Sequence, residues 1–543
     1  MDFKLPIEYT DCHTIDNVVR KDLEILTTDE QTNLYKKILN SDSGLIDRWS
    51  SVYTCDKSFL KDTQKCIKRY KTDGYNTGDF QKEYTSFISE TNFTDKYQYI
   101  GMDAIRKLND SSLFLHCLGL YNLGSPIISL CTPLFILIVP FIVLKAKGIN
   151  VTINMYIESL KNIMKTTSIY KLFSDDMGSQ QRVSAIVSIF IYCLQVYNNV
   201  ISCIHFYKNI NVVYSFLMNY RQYLIETDKR MFQMIQHLSR YKTYGDFLMN
   251  LRAHHLNVTE WIHKLNQIHH TEHTIVKIGQ LGTLMQMYYE LYYSSECRDT
   301  YSYTLNLHHF NNDMLSFHTL VKSKKIGKCK FGAETNLKDM FYLAHINDEY
   351  KTNNVTINKN ILLTGPNASG KTTVLKSIIL NVLLSQQLGY GCYRKADISC
   401  YDTFHSYLNI PDTSGRDSLF QAEARRCQDI ISNITNNRDK KHLCIFDEIY
   451  SGTNPSDAIT CAILYLKDMN KHTDFVDYII TTHYTDLCES FKEDNDVVNM
   501  KMDVNVIDDE NIKYTYKMID GISYVNGGKH ILRQMIKEDI RNN

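Results

Sequence analysis

The pattern of apolar and polar positions changes character three times along the chain. Residues 1–110 are polar and charged, with helical spacing. Ser111–Leu144 then carries no charged side chain, and its second half, Ser125–Leu144, is about 20 residues of mostly apolar side chains, enough for a helix to cross a bilayer core. Pro126, Pro133 and Pro140 fall inside it. A proline within a soluble helix costs ~3 kcal/mol and is better tolerated in a membrane helix. A second uncharged run, Val183–Tyr207, is interrupted by Gln195, Asn198, Asn199 and His205, which favours a soluble core helix. From Tyr214 to Tyr293 the spacing is helical and free of proline. Leu281, Met285, Tyr288 and Leu291 share one helix face and read as packing within a bundle. From Gly332 onward helices alternate with short apolar strands at 361–364, 443–446 and 478–481, the pattern of buried parallel strands in an α/β sheet.

These changes divide the chain into a helical N-terminal region (1–110), an apolar helical region (111–210) with a candidate membrane segment at 125–144, a long-helix region (211–325) and an α/β domain (326–543). Between the two uncharged runs lie Lys145, Lys147, Lys161, Lys165, Lys171 and Arg182 against Glu158, Asp175 and Asp176. The excess of positive charge would keep that loop in the cytosol. Two full spans would then put the α/β domain on the opposite side. A single span, a proline-bent re-entrant hairpin and a buried core segment all avoid this conflict.

Composition narrows the partners. Lys+Arg and Asp+Glu number 60 each, so the chain as a whole is not built to coat a polyanion. Local basic groups remain at Arg221, Lys229-Arg230 and Lys322–Lys325, for which a solvated helix surface is the simpler reading. Fifteen cysteines stand singly, without a CxxC, as expected of reduced thiols in a cytosolic or nuclear compartment. Met1–Leu5 has neither the basic start nor the apolar run of a secretory leader.

The densest chemistry begins at Gly365-Pro366-Asn367-Ala368-Ser369-Gly370-Lys371-Thr372, followed by Thr373. This is G-x-x-x-x-G-K-[ST] after a strand and before an apolar helix, Val374–Leu384, the context in which glycines let backbone N–H groups curl round phosphates. Lys371 would reach the β- and γ-phosphates of a nucleotide, and the Thr372 hydroxyl would ligate Mg²⁺. A second apolar strand ends in Asp447-Glu448. Asp447 would hold the metal and Glu448 would polarise the attacking water.

Four motifs in this order resemble the ATPase domain of the MutS family, over roughly residues 330–530. They are Thr364-Gly-Pro-Asn-Ala-Ser-Gly-Lys-Thr-Thr373, Ser414-Gly-Arg-Asp-Ser-Leu-Phe-Gln-Ala-Glu423, Asp447-Glu-Ile-Tyr-Ser-Gly-Thr-Asn-Pro-Ser-Asp457 and Thr481-Thr-His483-Tyr484. The resemblance implies an α/β P-loop ATPase domain of ABC-like, MutS type, preceded by a mainly α-helical, in part lever-like, region. It implies Mg²⁺-dependent hydrolysis of ATP, with two such domains, from a second copy or a related ATPase, completing each other's sites. Ser418 would approach the γ-phosphate bound by the other domain; an extra residue in that motif leaves Ser414 as the alternative. His483 would sense the γ-phosphate, and Tyr516 or Tyr350 would stack on adenine.

The family's DNA role implies a mismatch or DNA-structure sensor. The chain departs from that pattern in three ways. The F-x-E at Phe491-Lys492-Glu493 lies beyond His483, where it cannot be an N-terminal reading motif. The region before the ATPase is short for the family's reading and clamp domains. The proline-bearing apolar segment has no counterpart in a soluble DNA clamp. The alternative is a membrane-associated, ATP-driven switch that works on a protein or lipid.

Overall fold

The structure, a computed structural model, describes residues 3–26, 33–41, 43–166, 179–408, 419–506 and 512–525. It forms two compact units. One comprises Met1–Tyr75, Lys229–His255 and Ser302–Asn543, the other Asn76–Asp228 and Leu256–Tyr301.

The second unit is helical. α1 (Ser112–Ala146) runs outward, α2 (Ile153–Thr166) follows, and α3 (Ser179–Leu238) returns. α4 (Leu281–Tyr293) crosses the start of α1 closely. Gly119 and Gly282 make that approach available: a Cβ on Gly119 would meet Leu281 at 2.2 Å, and one on Gly282 the Ser112 carbonyl at 2.0 Å. Leu281, Met285, Tyr288 and Leu291 of α4 are all buried. The core beneath them is aromatic. Tyr84 stacks on Tyr301 at 3.5 Å between centroids and Phe93 on Tyr292 at 3.8 Å.

The two uncharged runs lie in α1 and α3. The expectation of a soluble core helix at 183–207 is corrected: Val183, Ile186, Phe190, Ile191 and Tyr197 are exposed, each by more than half of its surface. Of the polar interruptions that suggested a core helix, Asn199 turns toward α1, its amide donating to the Ser129 hydroxyl, while Gln195, Asn198 and His205 are exposed.

The first unit is built on two sheets. Its N-terminal part contributes a short ribbon, β1 (Cys12–Thr14) with β2 (Val52–Thr54), and short helices. A five-stranded sheet contains β3 (Gly327–Phe331), β4 (Thr335–Met340), β5 (Asn353–Ile357), β7 (Tyr390–Gly391) and β8 (Lys395–Ile398), in the order β5-β4-β8-β3-β7. The six-stranded sheet contains β6 (Asn360–Thr364), β9 (Thr403–Tyr407), β10 (His442–Asp447), β11 (Val476–Thr482), β12 (Val497–Val506) and β13 (Ile512–Asp520). Its order is β13-β12-β6-β11-β10-β9, and every pairing is parallel except that of the edge strand β13. β6, β10 and β11 contain the three apolar runs expected as strands. Both their faces are covered, which explains runs without alternation.

α5 (Lys371–Leu388) follows β6 and is buried over almost its whole length. Glycines in the left-handed region open and close it, Gly370 at φ +96° and Gly389 at φ +74°. The N-terminal segment packs against its far end. Tyr35 donates its hydroxyl to the Gln387 side chain (2.6 Å), and the Gln64 amide donates to the Gly389 carbonyl (2.7 Å).

Candidate nucleotide-binding site

The parallel register brings the chemistry of three strand ends together. Asp447 at the tip of β10 pairs with Thr481 of β11, and Thr482 pairs with Thr364 of β6. Thr364 is followed directly by Gly365 and the phosphate loop. A Cβ on Gly365 would stand 2.9 Å from Met502 and from the Ser369 hydroxyl, so the bend requires glycine. Ala368 adopts φ +62°, which turns the loop toward Gly370. The Ser369 hydroxyl is buried and has no hydrogen-bond partner among the described residues.

Lys371, only 6% exposed, lies across this loop. Its ammonium donates to the carbonyls of Gly365 (3.1 Å) and Pro366 (3.4 Å) and lies 3.5 Å from Glu448 Oε1. Burial pushes it below its ordinary pKa, against the pull of Glu448 and Asp447. His483 Nε2 is 2.5 Å from the same Glu448 oxygen and 3.3 Å from Lys371 Nζ. A proton on Nε2 satisfies the first contact and leaves the second a neighbourhood of two donors sharing one carboxylate. The His483 hydrogen bond, then the Lys371 charge, hold Glu448 below the usual carboxylate range; partial burial opposes them.

Asp447 faces elsewhere. Thr372 donates its hydroxyl to Oδ2 (2.7 Å), and the Thr481 hydroxyl donates to Oδ1. Octahedral Mg²⁺ with oxygens at ~2.0–2.1 Å sets neighbouring ligands roughly 2.9 Å apart, so Thr372 and Asp447 already have nearly the spacing of a shared Mg²⁺. The residue types and the separation both fit that ion.

The loop after β10 has its own support. Glu448 (φ +55°) and Tyr450 (φ +60°) lie in the left-handed region. Glu423 of α6 (Leu419–Asn436), 2% exposed, accepts hydrogen bonds from the Ser451 backbone (3.1 Å), the Ser451 hydroxyl (2.9 Å) and the Gly452 backbone (3.1 Å). Asn454 then caps α7 (Pro455–Met469) by accepting from the Asp457 N–H (3.0 Å).

A cavity of about 840 Å³ opens beside the phosphate loop, lined by Asn367, Ala368, Gly370–Val374, Glu448, Phe341, Tyr350 and Tyr516, among others. Both tyrosines named from sequence therefore reach one cavity. Tyr350 stacks on Phe341 at 4.0 Å with the rings 13° apart. Tyr516, at φ +59°, comes within 3.3 Å of where a Cβ on Gly370 would stand. Phe341, Tyr342 and His345 also line the cavity and were not found from sequence. An aromatic pair at the end of β4 is a signal, but a weak one in a chain with 38 tyrosines and 23 phenylalanines. Ser414 and Ser418 lie outside the described residues.

Three of the basic side chains named from sequence are engaged within the chain, while Lys322 and Lys324 are exposed. Arg221 donates to the Ile268 carbonyl (3.1 Å), Arg230 stacks over Tyr75 at 4.3 Å, and Lys229 lies 3.9 Å from Asp73. Phe491 is buried in the core beside the six-stranded sheet, directly after the helix Thr485–Ser490.

A strand, a glycine-hinged loop, a helix that opens on a lysine and a neighbouring strand tipped with two acids together make a phosphate-loop α/β domain. That domain is similar to the MutS family: the model described as MutS domain V matches residues 361–536. The DNA mismatch repair protein MutS of Persephonella marina is 28% identical over 219 residues, covering 38% of this chain and 24% of the relative. That of Finegoldia magna is 30% identical over 218 residues, covering 36% and 24%. The endonuclease MutS2 of Clostridium kluyveri is 28% identical over 163 residues, covering 30% and 20%. The chain thus spans a quarter or less of the length of these relatives.

Proposed function

We propose that this chain binds ATP with Mg²⁺ and hydrolyses it to ADP and phosphate. The observation that carries the reading is the convergence of Lys371, Thr372–Asp447 and Glu448–His483 at the phosphate-loop end of one cavity. The loop backbone and Lys371 hold the phosphates, and Lys371 exchanges the carbonyls of Gly365 and Pro366 for phosphate oxygens. Thr372 and Asp447 hold the metal, which when bound neutralises charge on the β- and γ-phosphates. Glu448 accepts the proton of the water whose oxygen attacks the γ-phosphorus, as the bond to the bridging β–γ oxygen breaks. His483 orients Glu448 through its 2.5 Å contact and faces the γ-phosphate position. Tyr350 and Tyr516 offer aromatic faces to the base. The Ser414–Ser418 segment completes the site of a second copy or a related ATPase.

Glu448→Gln is expected to retain ATP binding and lose turnover, and Lys371→Ala to lose binding. Turnover by Glu448→Gln at the parental rate would remove the role given to Glu448. The cycle is assigned to sensing DNA structure, of the mismatch-repair kind named for the relatives. Mismatched or branched duplex is expected to raise the ATPase rate in a salt-dependent manner. Equal rates with and without duplex at low salt refute this second part alone.

A further inference from the structure

The paired arms of α1 and α3 are built inside out. Where they run side by side, polar groups meet between them. The Tyr192 hydroxyl donates to the Ser129 carbonyl (3.0 Å), Asn199 to the Ser129 hydroxyl, and the Cys203 thiol to the Leu123 carbonyl (3.3 Å). Other hydroxyls return to their own helix: Thr132 to the Ile128 carbonyl (2.9 Å) and Ser188 to the Ser184 carbonyl (2.9 Å). Large apolar side chains predominate among the outward positions, with Gln195, Asn198 and His205 as polar exceptions on α3. Ile127, Ile138 and Ile142 of α1 and Ile186, Phe190 and Ile191 of α3 are each more than half exposed.

A water-soluble hairpin has the opposite arrangement, with apolar side chains between the helices and polar ones outside. Polar groups satisfied inside and hydrocarbon outside is the arrangement for an apolar solvent, which offers no hydrogen bonds. The exposed apolar positions include sequence neighbours, Ile138 with Val139 and Phe190 with Ile191, and so spread around each helix well beyond the single stripe that a partner helix covers.

Length agrees. The charge-free stretch of α3, 183–207, rises roughly 37 Å at 1.5 Å per residue, against about 30 Å of bilayer hydrocarbon. Charge returns at its ends: Lys208 on α3 at one, Lys145 on α1 and Lys147 just after it at the other. Cations at those levels suit phosphate headgroups, and two full spans leave the positively charged 145–182 loop on the far side of the bilayer, against its charge bias.

We propose that the arms of α1 and α3 lodge in the hydrocarbon of a lipid bilayer as one helical hairpin. The proposal stands on the arms alone and is independent of the ATPase reading.

The test is flotation of the purified full chain with vesicles of phosphatidylcholine, with and without phosphatidylserine. The expected result is co-flotation with both, retained after washes in 1 M salt and in alkaline carbonate. Ile138→Glu combined with Ile186→Glu is expected to lower the floated fraction at least tenfold, with helical circular dichroism and ATP turnover unchanged. In the unaltered chain, a carbene-generating lipid probe is expected to label 111–144 and 183–207. Release by salt alone, equal flotation of the double variant, or labelling elsewhere would each overturn the proposal. So would a lipid-free dimer with protected arms, which would assign these faces to a second copy.

Discussion

Replacing Glu423 tests whether the loop carrying Glu448 is held from outside the phosphate site. Its buried carboxylate accepts from Ser451 N, Ser451 Oγ and Gly452 N. Hydrogen bonds to a charged acceptor contribute ~1.5–3 kcal/mol each when the donor has no substitute. Ser451 and Gly452 are exposed, so on release their donors regain water, and less than three full bonds is lost. About 2–4 kcal/mol is therefore the expected loss for Glu423→Ala, and about half of that for Glu423→Gln, which keeps one accepting oxygen but turns an amide against a donor. At 1.4 kcal/mol per tenfold, the alanine variant should speed amide hydrogen exchange across 448–454 by about 30- to 700-fold, with the glutamine variant between it and the parent. Exchange read by mass spectrometry isolates this segment, where a global melt of a two-unit chain would not. Parental exchange in Glu423→Ala would show that the three contacts do not restrain the loop. Faster exchange there with unchanged turnover would show that the restraint is unrelated to catalysis.

Three further outcomes follow from the site. Glu448 is held low chiefly by His483, so its contribution to turnover is present above its lowered pKa and lost only as pH falls through it; His483→Ala should move the acid limb of the pH–rate profile upward, and an unmoved limb would assign it to another group. Gly370→Ala places a Cβ at φ +96° and 3.3 Å from Tyr516, so titration with a fluorescent ATP analogue should show binding roughly tenfold weaker, from ~1–2 kcal/mol of backbone strain. Tyr350→Ala and Tyr516→Ala should each weaken that analogue by about 3- to 10-fold, as expected for ~0.5–1.5 kcal/mol of aromatic stacking, and an effect of only one assigns the base to that side of the cavity.

The parts of the site that could be read from the chain are local or sit at strand ends. Lys371 and Thr372 follow the loop glycines directly, and the short apolar runs before Gly365 and Asp447 read as buried strands, which they are. What could not be read is tertiary. The packing of Gln64 and Tyr35 on α5 joins positions far apart in sequence, and the stacking of Phe341 on Tyr350 depends on a turn after β4, with no repeated spacing to mark either. The run 183–207 misled for a different reason. Hydropathy along a line records that Gln195, Asn198 and Asn199 are polar, but not which way they turn. Asn199 facing Ser129 and Phe190 facing outward give the same profile as the reverse.

The division of labour between the two adjacent acids has a backbone cause. In an unbroken strand neighbouring side chains point to opposite faces, and both faces of β10 are buried. Asp447 stays in the strand, and its two oxygens are taken by Thr372 and Thr481. Glu448 leaves it at φ +55°, still tied to the sheet by its N–H to the Thr481 carbonyl (3.1 Å), and that turn swings its carboxylate to Lys371 and His483. Two carboxylates on one cation would compete for it and raise each other's pKa. Turned apart by the left-handed backbone of Glu448, the one would be left to a metal and the other to a proton on the proposed reading. The strain of that residue is then part of the site, which is why Glu423 and Asn454 brace the segment that follows it.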